Sequence, residues 1–201
     1  MKLNSSELTN HLSEKVHSIY FLSGSEDLLI IESLDELRKA AALNDYTDKA
    51  TFTVSGQFKW GAVDDSLKSQ SLFGGKKYIE ILIPNSRPGK QGSEAIVKLI
   101  ENIPEDTLLV FVAGKLEKDI KQAKWVKGLQ KKAISIECPK VYPSQFPGWL
   151  TNRLTRHGLG IDRDALEMFV LLTEGNLIVA KQSIERLLMM EVSGRVTMEN
   201  I

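Results

Sequence analysis

One cysteine, Cys138, and three histidines, His11, His17 and His157, leave this 201-residue chain poor in soft metal ligands. No intramolecular disulfide can form, which fits a reducing compartment. A lone thiolate cannot build a zinc site, and no histidine stands at i,i+4 from another ligand in a metal-binding pattern. His11 and His17 are expected on a solvated helix face. Neither sign of charge is in excess, since Lys plus Arg and Asp plus Glu number 26 each. A protein holding nucleic acid through its whole surface would be basic, so only local patches are left for that role. The first residues, Met1-Lys2-Leu3-Asn4-Ser5-Ser6-Glu7, carry no apolar signal core. The longest apolar runs, such as residues 108–113, fall far short of a membrane span. A soluble cytoplasmic protein is expected. Nucleophile elbows, redox pairs and paired-carboxylate signatures are also missing; Asp64-Asp65 and Asp162/Asp164 read as helix faces and caps.

The apolar fraction is 42%, enough to bury a substantial core. In the first part of the chain, strand and helix patterns alternate. Leu8, Leu12 and Val16 share a short helix face, with Ser5 or Ser6 as cap. Residues 18–24 read as a buried strand ending in a turn. Ser25 is the expected cap of a helix with Glu26 and Asp27 in its first turn and Leu28, Ile31, Leu34, Leu37 and Ala41 on one face. Residues 50–54 are a strand candidate. Trp60, Val63 and Leu67 follow at helical spacing, and Gly74-Gly75 stops that helix. Residues 77–83 form the next strand. Residues 85–92 read as a Pro/Gly-rich loop, and Ser93 as the cap of a helix carrying Ile96, Val97, Leu99 and Ile100. Residues 107–113 lack both charge and alternation, which predicts burial on both faces of a parallel sheet. A Lys-rich helix over 117–132 and a last strand over 133–138 follow.

Alternating strands and helices predict an α/β domain with a mostly parallel sheet. The pattern changes at Pro139, Pro143 and Pro147, which fall within nine positions and mark a linker. Beyond them only helices are expected. The first carries Phe146, Trp149, Leu150 and Leu154. The second, capped by Asp162, carries Leu166, Phe169, Val170 and Thr173. The third, capped by Asn176, carries Leu177, Ala180, Ile184, Leu187 and Leu188. Residues 1–140 and 141–201 are therefore expected to form an α/β domain and a small helical one. The tail after Thr197 reads as the start of a fourth helix, which suggests a chain cut short.

Three features bear on function. The strand–turn–helix at residues 21–28 stands where a phosphate loop would, yet it has one glycine, no Gly-Lys-Ser/Thr, and acidic Glu26 and Asp27. An ordinary capped helix is the simpler reading. The Lys-rich segment carries Lys115, Lys118, Lys121, Lys124, Lys127, Lys131 and Lys132; a solvated outer face and a subunit or DNA contact both fit it. Third, Gln70-Ser71-Leu72-Phe73 places two large apolar residues off the Trp60/Val63/Leu67 stripe and just before Gly74-Gly75. They either tuck under the sheet or form an exposed plug for a partner's pocket, as an anchor pair does.

Several segments, in order, resemble the delta subunit family of the bacterial DNA polymerase III clamp loader. They are Ile19-Tyr20-Phe21-Leu22-Ser23-Gly24 with Leu28-Leu29-Ile30-Ile31-Glu32; Ser71-Leu72-Phe73 running into strand 78–84; Leu108-Leu109-Val110-Phe111-Val112 with Gly114-Lys115-Leu116 and Trp125; and Glu174-Gly175-Asn176-Leu177 leading to Ile184-Glu185-Arg186-Leu187. The resemblance spans nearly the whole chain. It implies a degenerate AAA+ module over residues 1–140, a helical lid over 141–201, and a collar domain beyond Ile201 that assembles the loader. It also implies a subunit without catalytic activity or cofactor, which binds the ring-shaped sliding clamp through Leu72 and Phe73 and opens one of its interfaces. Ser71 and Gln70 would flank that contact, although Gln70 stands one position closer to the pair than in the commonest clamp-binding peptide. Ile178 occupies the position at which nucleotide-sensing lids carry an arginine, so ATP is left to other subunits. The implied partners are the clamp, the other loader subunits through the collar, and primer-template DNA through the assembled complex. The competing readings are a P-loop-like ATPase on the same fold, opposed by the turn at residues 23–28, and a generic DNA-binding module, opposed by the zero net charge.

Overall fold

The computed structural model describes residues 1–69 and 74–201. They fall into two compact units, Met1–Pro139 and Lys140–Ile201.

The first unit is built on a six-stranded sheet: β1 (Lys2–Asn4), β2 (Ile19–Gly24), β3 (Asp48–Thr53), β4 (Lys77–Ile83), β5 (Thr107–Ala113) and β6 (Ile134–Cys138). The spatial order is β1-β6-β2-β5-β4-β3, and every pairing is parallel. The crossovers run through α2 (Asp27–Leu43), α3 (Gly61–Lys68), α4 (Gly89–Glu101), and the pair α5 (Lys118–Lys121) and α6 (Lys124–Lys132), while α1 (Leu8–Glu14) precedes β2. After β3 the chain reverses its direction of travel across the sheet. Parallel crossovers are almost always right-handed, so helices before and after the reversal belong on opposite faces. The core divides accordingly. Phe21, Ile81, Phe111, Trp125 and Ile96 pack on the face of α3, α4 and α6. Tyr20, Leu22, Tyr78, Val110, Leu37 and Leu8 pack on the face of α1 and α2. Strand β5 is buried at every position, as its uncharged run predicted.

Several expectations are corrected. Strand β1 was not foreseen; it pairs with β6 and is followed by a 3-10 turn whose capping box joins Asn4 and Glu7, so Ser5 and Ser6 are not the cap. Helix α2 is capped at Glu26 rather than Ser25, and Ile31 is 48% exposed. Helix α4 starts at Gly89, within the expected loop, and not at Ser93. Gly92 belongs to the packing of that helix: a Cβ there would lie 2.9 Å from the Trp60 ring. The Lys-rich segment is two helices, broken at Gln122 and Ala123, with Ala123 extended at ψ 145°. His11 and His17 do not lie on an open helix face. Their rings stack at 5.2 Å, and among the described residues His11 Nε2 is buried without a hydrogen-bond partner.

The second unit packs α7 (Phe146–Arg156), α8 (Arg163–Thr173) and α9 (Leu177–Met189) around Phe146, Leu150, Leu154, Phe169, Ile184 and Leu187. It is not purely helical: β7 (Gly160–Ile161) pairs in parallel with β8 (Arg195–Val196). Thr197 caps a 3-10 turn at Met198–Asn200. Asn176 does cap α9, its Oδ1 accepting from the amides of Ile178 and Val179. Among the described residues no helix is long and apolar enough to cross a membrane.

Candidate functional site

Open parallel sheets bind ligands beyond the carboxyl ends of the strands where crossovers leave in opposite directions. Here that place is the end of β2, beside β5. The turn there is closed. Gly24 pairs with Cys138 of β6, and a Cβ on Gly24 would lie 1.8 Å from the Cys138 carbonyl oxygen. The amides of Ser25 and Glu26 both donate to that oxygen, at 3.0 and 3.2 Å. A phosphate loop works by turning successive free amides towards the anion. In this turn two of those amides are already engaged by a protein carbonyl, and Asp27 brings negative charge into the first turn of α2.

Cys138, on the other side of this contact, is fully buried, and its thiol lies 4.0 Å from Ser33 Oγ. Burial pushes the thiol up to about 11 from its ordinary 9.0. Burial likewise raises the phenols of Tyr20 and Tyr78. A group that deprotonates less readily when folded stabilises the fold fully below its unfolded value and loses that contribution as the pH climbs to its folded value. Thermal stability is therefore expected to decline above about pH 9, with Cys138 contributing on the order of 2 kcal/mol between pH 9 and 11. Melts from pH 8 to 11 check this. Cys138→Ala should flatten the slope in that window, and an unaltered slope would contradict the assignment.

The other candidate region is the junction from α3 to β4. Gln70, Ser71, Leu72 and Phe73, the residues singled out from sequence, lie outside the described residues. Both flanks are described. On the near side, Val63 is fully buried, and Trp60 and Leu67 pack partly buried against the core. The Ser69 amide closes the helix on Asp65 O at 2.9 Å. On the far side, Gly74 takes φ +71°, and a Cβ on Gly75 would lie 1.8 Å from Thr47 Oγ1.

Sequence reasoning missed two charged residues of β4. Lys77 is 8% exposed, and its ammonium donates to Ser66 O, Ser69 O and, at 2.8 Å, Ser69 Oγ. Glu80 is 1% exposed, and Arg38 of α2 grips it with Nε and Nη2 at 2.6 and 2.7 Å. The Tyr78 hydroxyl donates to the same carboxylate at 2.8 Å. The Glu80 hydrogen bond holds the Arg38 guanidinium above its ordinary value. The available signal was a charge in the middle of an otherwise apolar strand.

On α5 and α6, Lys118, Lys121, Lys124, Lys127 and Lys131 are exposed while Trp125, Val126 and Leu129 are buried. A groove of about 730 Å³ opens at the ends of β3 and β4, between residues 54–60 and 85–91. Among the described residues no group of three or more His, Cys, Asp or Glu could hold a metal ion.

A family model described as DNA polymerase III, delta subunit, matches residues 20–139. The chain is 27% identical over 201 residues to the DNA polymerase III subunit delta of Escherichia coli K12, covering 100% of this chain and 59% of that protein. It is 28% identical over 184 residues to the subunit of the same name from Haemophilus influenzae Rd, covering 90% and 53%. The chain thus spans little more than half the length of these relatives. Among solved structures, the Bacillus subtilis DNA clamp loader delta protein (YqeN) matches with a TM-score of 0.74 at 19% identity, over 98% of this chain and 60% of that one. Thermotoga maritima RuvB, a Holliday junction branch migration motor, matches with a TM-score of 0.51 at 15% identity, over 97% and 66%. At these identities the two structures speak for the fold alone, an α/β parallel sheet of the AAA+ kind.

Proposed function

The chain belongs to the DNA polymerase III delta subunit family, and from that premise we propose that it binds the sliding clamp and opens its ring for loading onto primed DNA, without binding ATP itself. The observation that carries the reading is the family match, which runs through the junction between α3 and β4. Leu72 and Phe73 are the proposed anchors of the clamp contact, with Ser71 and Gln70 beside them. The Met1–Pro139 unit is the AAA+-like module and the Lys140–Ile201 unit its lid. The other loader subunits and primer-template DNA are partners of the assembled complex, which works in the cytoplasm.

The turn after β2 supports the second half of the proposal. A nucleotide at that turn would have to displace the Cys138 carbonyl from the amides of Ser25 and Glu26 and accept the charge of Asp27. No lysine stands in the turn to compensate. The chain is expected to bind an immobilised cognate clamp equally well with and without Mg-ATP, and to give no heat with Mg-ATP in calorimetry. Failure to bind the clamp at tens of micromolar (about −6 kcal/mol) would remove the first half of the proposal. Micromolar Mg-ATP binding abolished by substitutions at residues 23–27 would restore the ATPase reading.

A further inference from the structure

We infer that the lysine face of α5 and α6 is a docking surface for the phosphate backbone of double-stranded DNA, so that this chain supplies a DNA contact of its own. The inference deepens the DNA half of the reading above and does not depend on the clamp contact between α3 and β4.

Charge is segregated along this chain. Lys plus Arg and Asp plus Glu balance at 26 each, yet residues 115–132 hold seven lysines against two carboxylates, Glu117 and Asp119. The rest of the chain is therefore net negative. Of the two carboxylates, Asp119 already pairs with Arg87 at 2.9 Å. Lys118, Lys121, Lys124, Lys127 and Lys131 are exposed, and among the described residues none of them makes an ion pair. Lys132 is used differently, since its ammonium donates to Ile100 O at the end of α4, at 3.3 Å.

The face is fixed from beneath. Trp125, Val126 and Leu129 are buried, and the Trp125 ring meets Phe21 of β2 edge-on at 5.8 Å. Helix α6 also runs close against α4, where a Cβ on Gly128 would lie 3.0 Å from Ile100 Cδ1. Lys124, Lys127 and Lys131 stand at i, i+3 and i+7, so they share one side of a helix held to the sheet. They span about 10 Å of helix axis, a distance over which one strand of duplex DNA carries about three phosphates.

The charge of the face calls for an anionic occupant, and its other side chains select among the candidates. Protein interfaces are depleted of lysine and depend on aromatic or apolar anchors. The exposed positions of α6 are lysines and Gln130, while its aromatic and aliphatic residues are turned inward. A single strand is held by rings on which its bases stack, and Trp125 is not available for that. Duplex DNA can be held by cations meeting phosphates alone, without reading of sequence. The occupant is therefore duplex DNA.

The test is the anisotropy of a short fluorescent duplex titrated with the full chain, between about 50 and 200 mM salt. Binding should weaken as salt is added, with a log–log slope of about −3 to −4. Lys124→Gln/Lys127→Gln/Lys131→Gln is expected to weaken duplex binding at least about tenfold at low salt and to remove most of the slope. The same three positions changed to Arg should keep both. Lys15→Gln/Lys39→Gln/Lys49→Gln removes equal charge from exposed positions at the end of α1, on α2 and on β3, and should cost no more than about twofold. Every substituted side chain is exposed, so melts should stay within about 2 °C. If the triple Gln variant does not fold, Lys127→Gln alone, expected to cost about two- to threefold, carries the test. Equal duplex affinity with and without the three lysines overturns the inference, as does an absence of duplex binding at low salt. So does tighter, lysine-dependent binding of a single strand of equal length, or of an oligoglutamate peptide, which would name a different occupant. Clamp binding of the triple Gln variant should be unchanged; a loss there would assign these lysines to the clamp and overturn the DNA contact. Lysine-dependent duplex binding by a chain that fails to bind the clamp would remove the clamp reading and leave this face standing.

Discussion

Replacing Leu72 and Phe73 together by alanine is expected to lower clamp affinity a hundredfold or more while moving the melting temperature by no more than about 2 °C. The size of the first effect follows from the energetics of anchor pairs. Two large apolar side chains entering a partner's pocket each count as hot spots, and about 2 kcal/mol from each corresponds to far more than a tenfold loss. The small second effect follows from α3. Val63 of α3 is fully buried, and Trp60 and Leu67 pack against the core, so among the described residues the helix already has apolar contacts with the sheet. The rival reading, in which the pair fills the underside of the sheet, makes the opposite forecast. Two core truncations would cost about 4 kcal/mol or more and lower the melt sharply, with clamp affinity of the folded protein untouched. Melt and binding must therefore be measured on the same preparation. An unchanged melt with unchanged binding would remove these two residues from any clamp contact.

Removing Arg38 is expected to be the most damaging single change to the Met1–Pro139 unit outside its apolar core. Among the described residues, Arg38→Met leaves the Glu80 carboxylate, 1% exposed, with only the Tyr78 hydroxyl. Stripping one partner from a buried pair typically costs about 3–5 kcal/mol. The lower end applies here, because the Arg38 side chain is 43% exposed and water can partly replace it. About 3 kcal/mol corresponds to a melting temperature lower by on the order of 10 °C. A second substitution tests the cause. Arg38→Met with Glu80→Gln removes the stranded charge and keeps an acceptor for Tyr78, so it should be more stable than Arg38→Met alone. If instead the two losses add, the ion pair is not the source of the damage, and the lost packing of the Arg38 aliphatic stem becomes the explanation.

Much of the first unit was legible because its strands are extreme. The uncharged run of β5 announced burial on both faces, and β2, β4 and β6 are apolar runs closed by turn residues. The misses share a cause. Strand β1 has one apolar residue in three, and only its ladder with β6 makes it a strand. The ladder between β7 and β8 is two residues long on each side and pairs segments separated in sequence by α8 and α9. Gly92 was read as a loop signal because glycine in sequence reports conformational freedom; here it reports the approach of the Trp60 ring. The split between α5 and α6 lies at Gln122 and Ala123, residues with no local reason to break a helix, which are placed by the burial of Ile120 on one side and Trp125 on the other.

The sequence by itself determined the α/β alternation, the change of pattern at Pro139 and the lack of a Gly-Lys-Ser/Thr loop. These are properties of periodicity, turn chemistry and residue type, all written within a few positions of one another. The tertiary structure alone decided where buried polar groups find partners: the Ser25 and Glu26 amides on the Cys138 carbonyl, Arg38 on Glu80, and Lys77 on the end of α3. A buried donor or charge must be satisfied, so the sequence shows that a partner is required. Which atom supplies it depends on strand order and crossover direction, and these bring together residues that no local pattern connects.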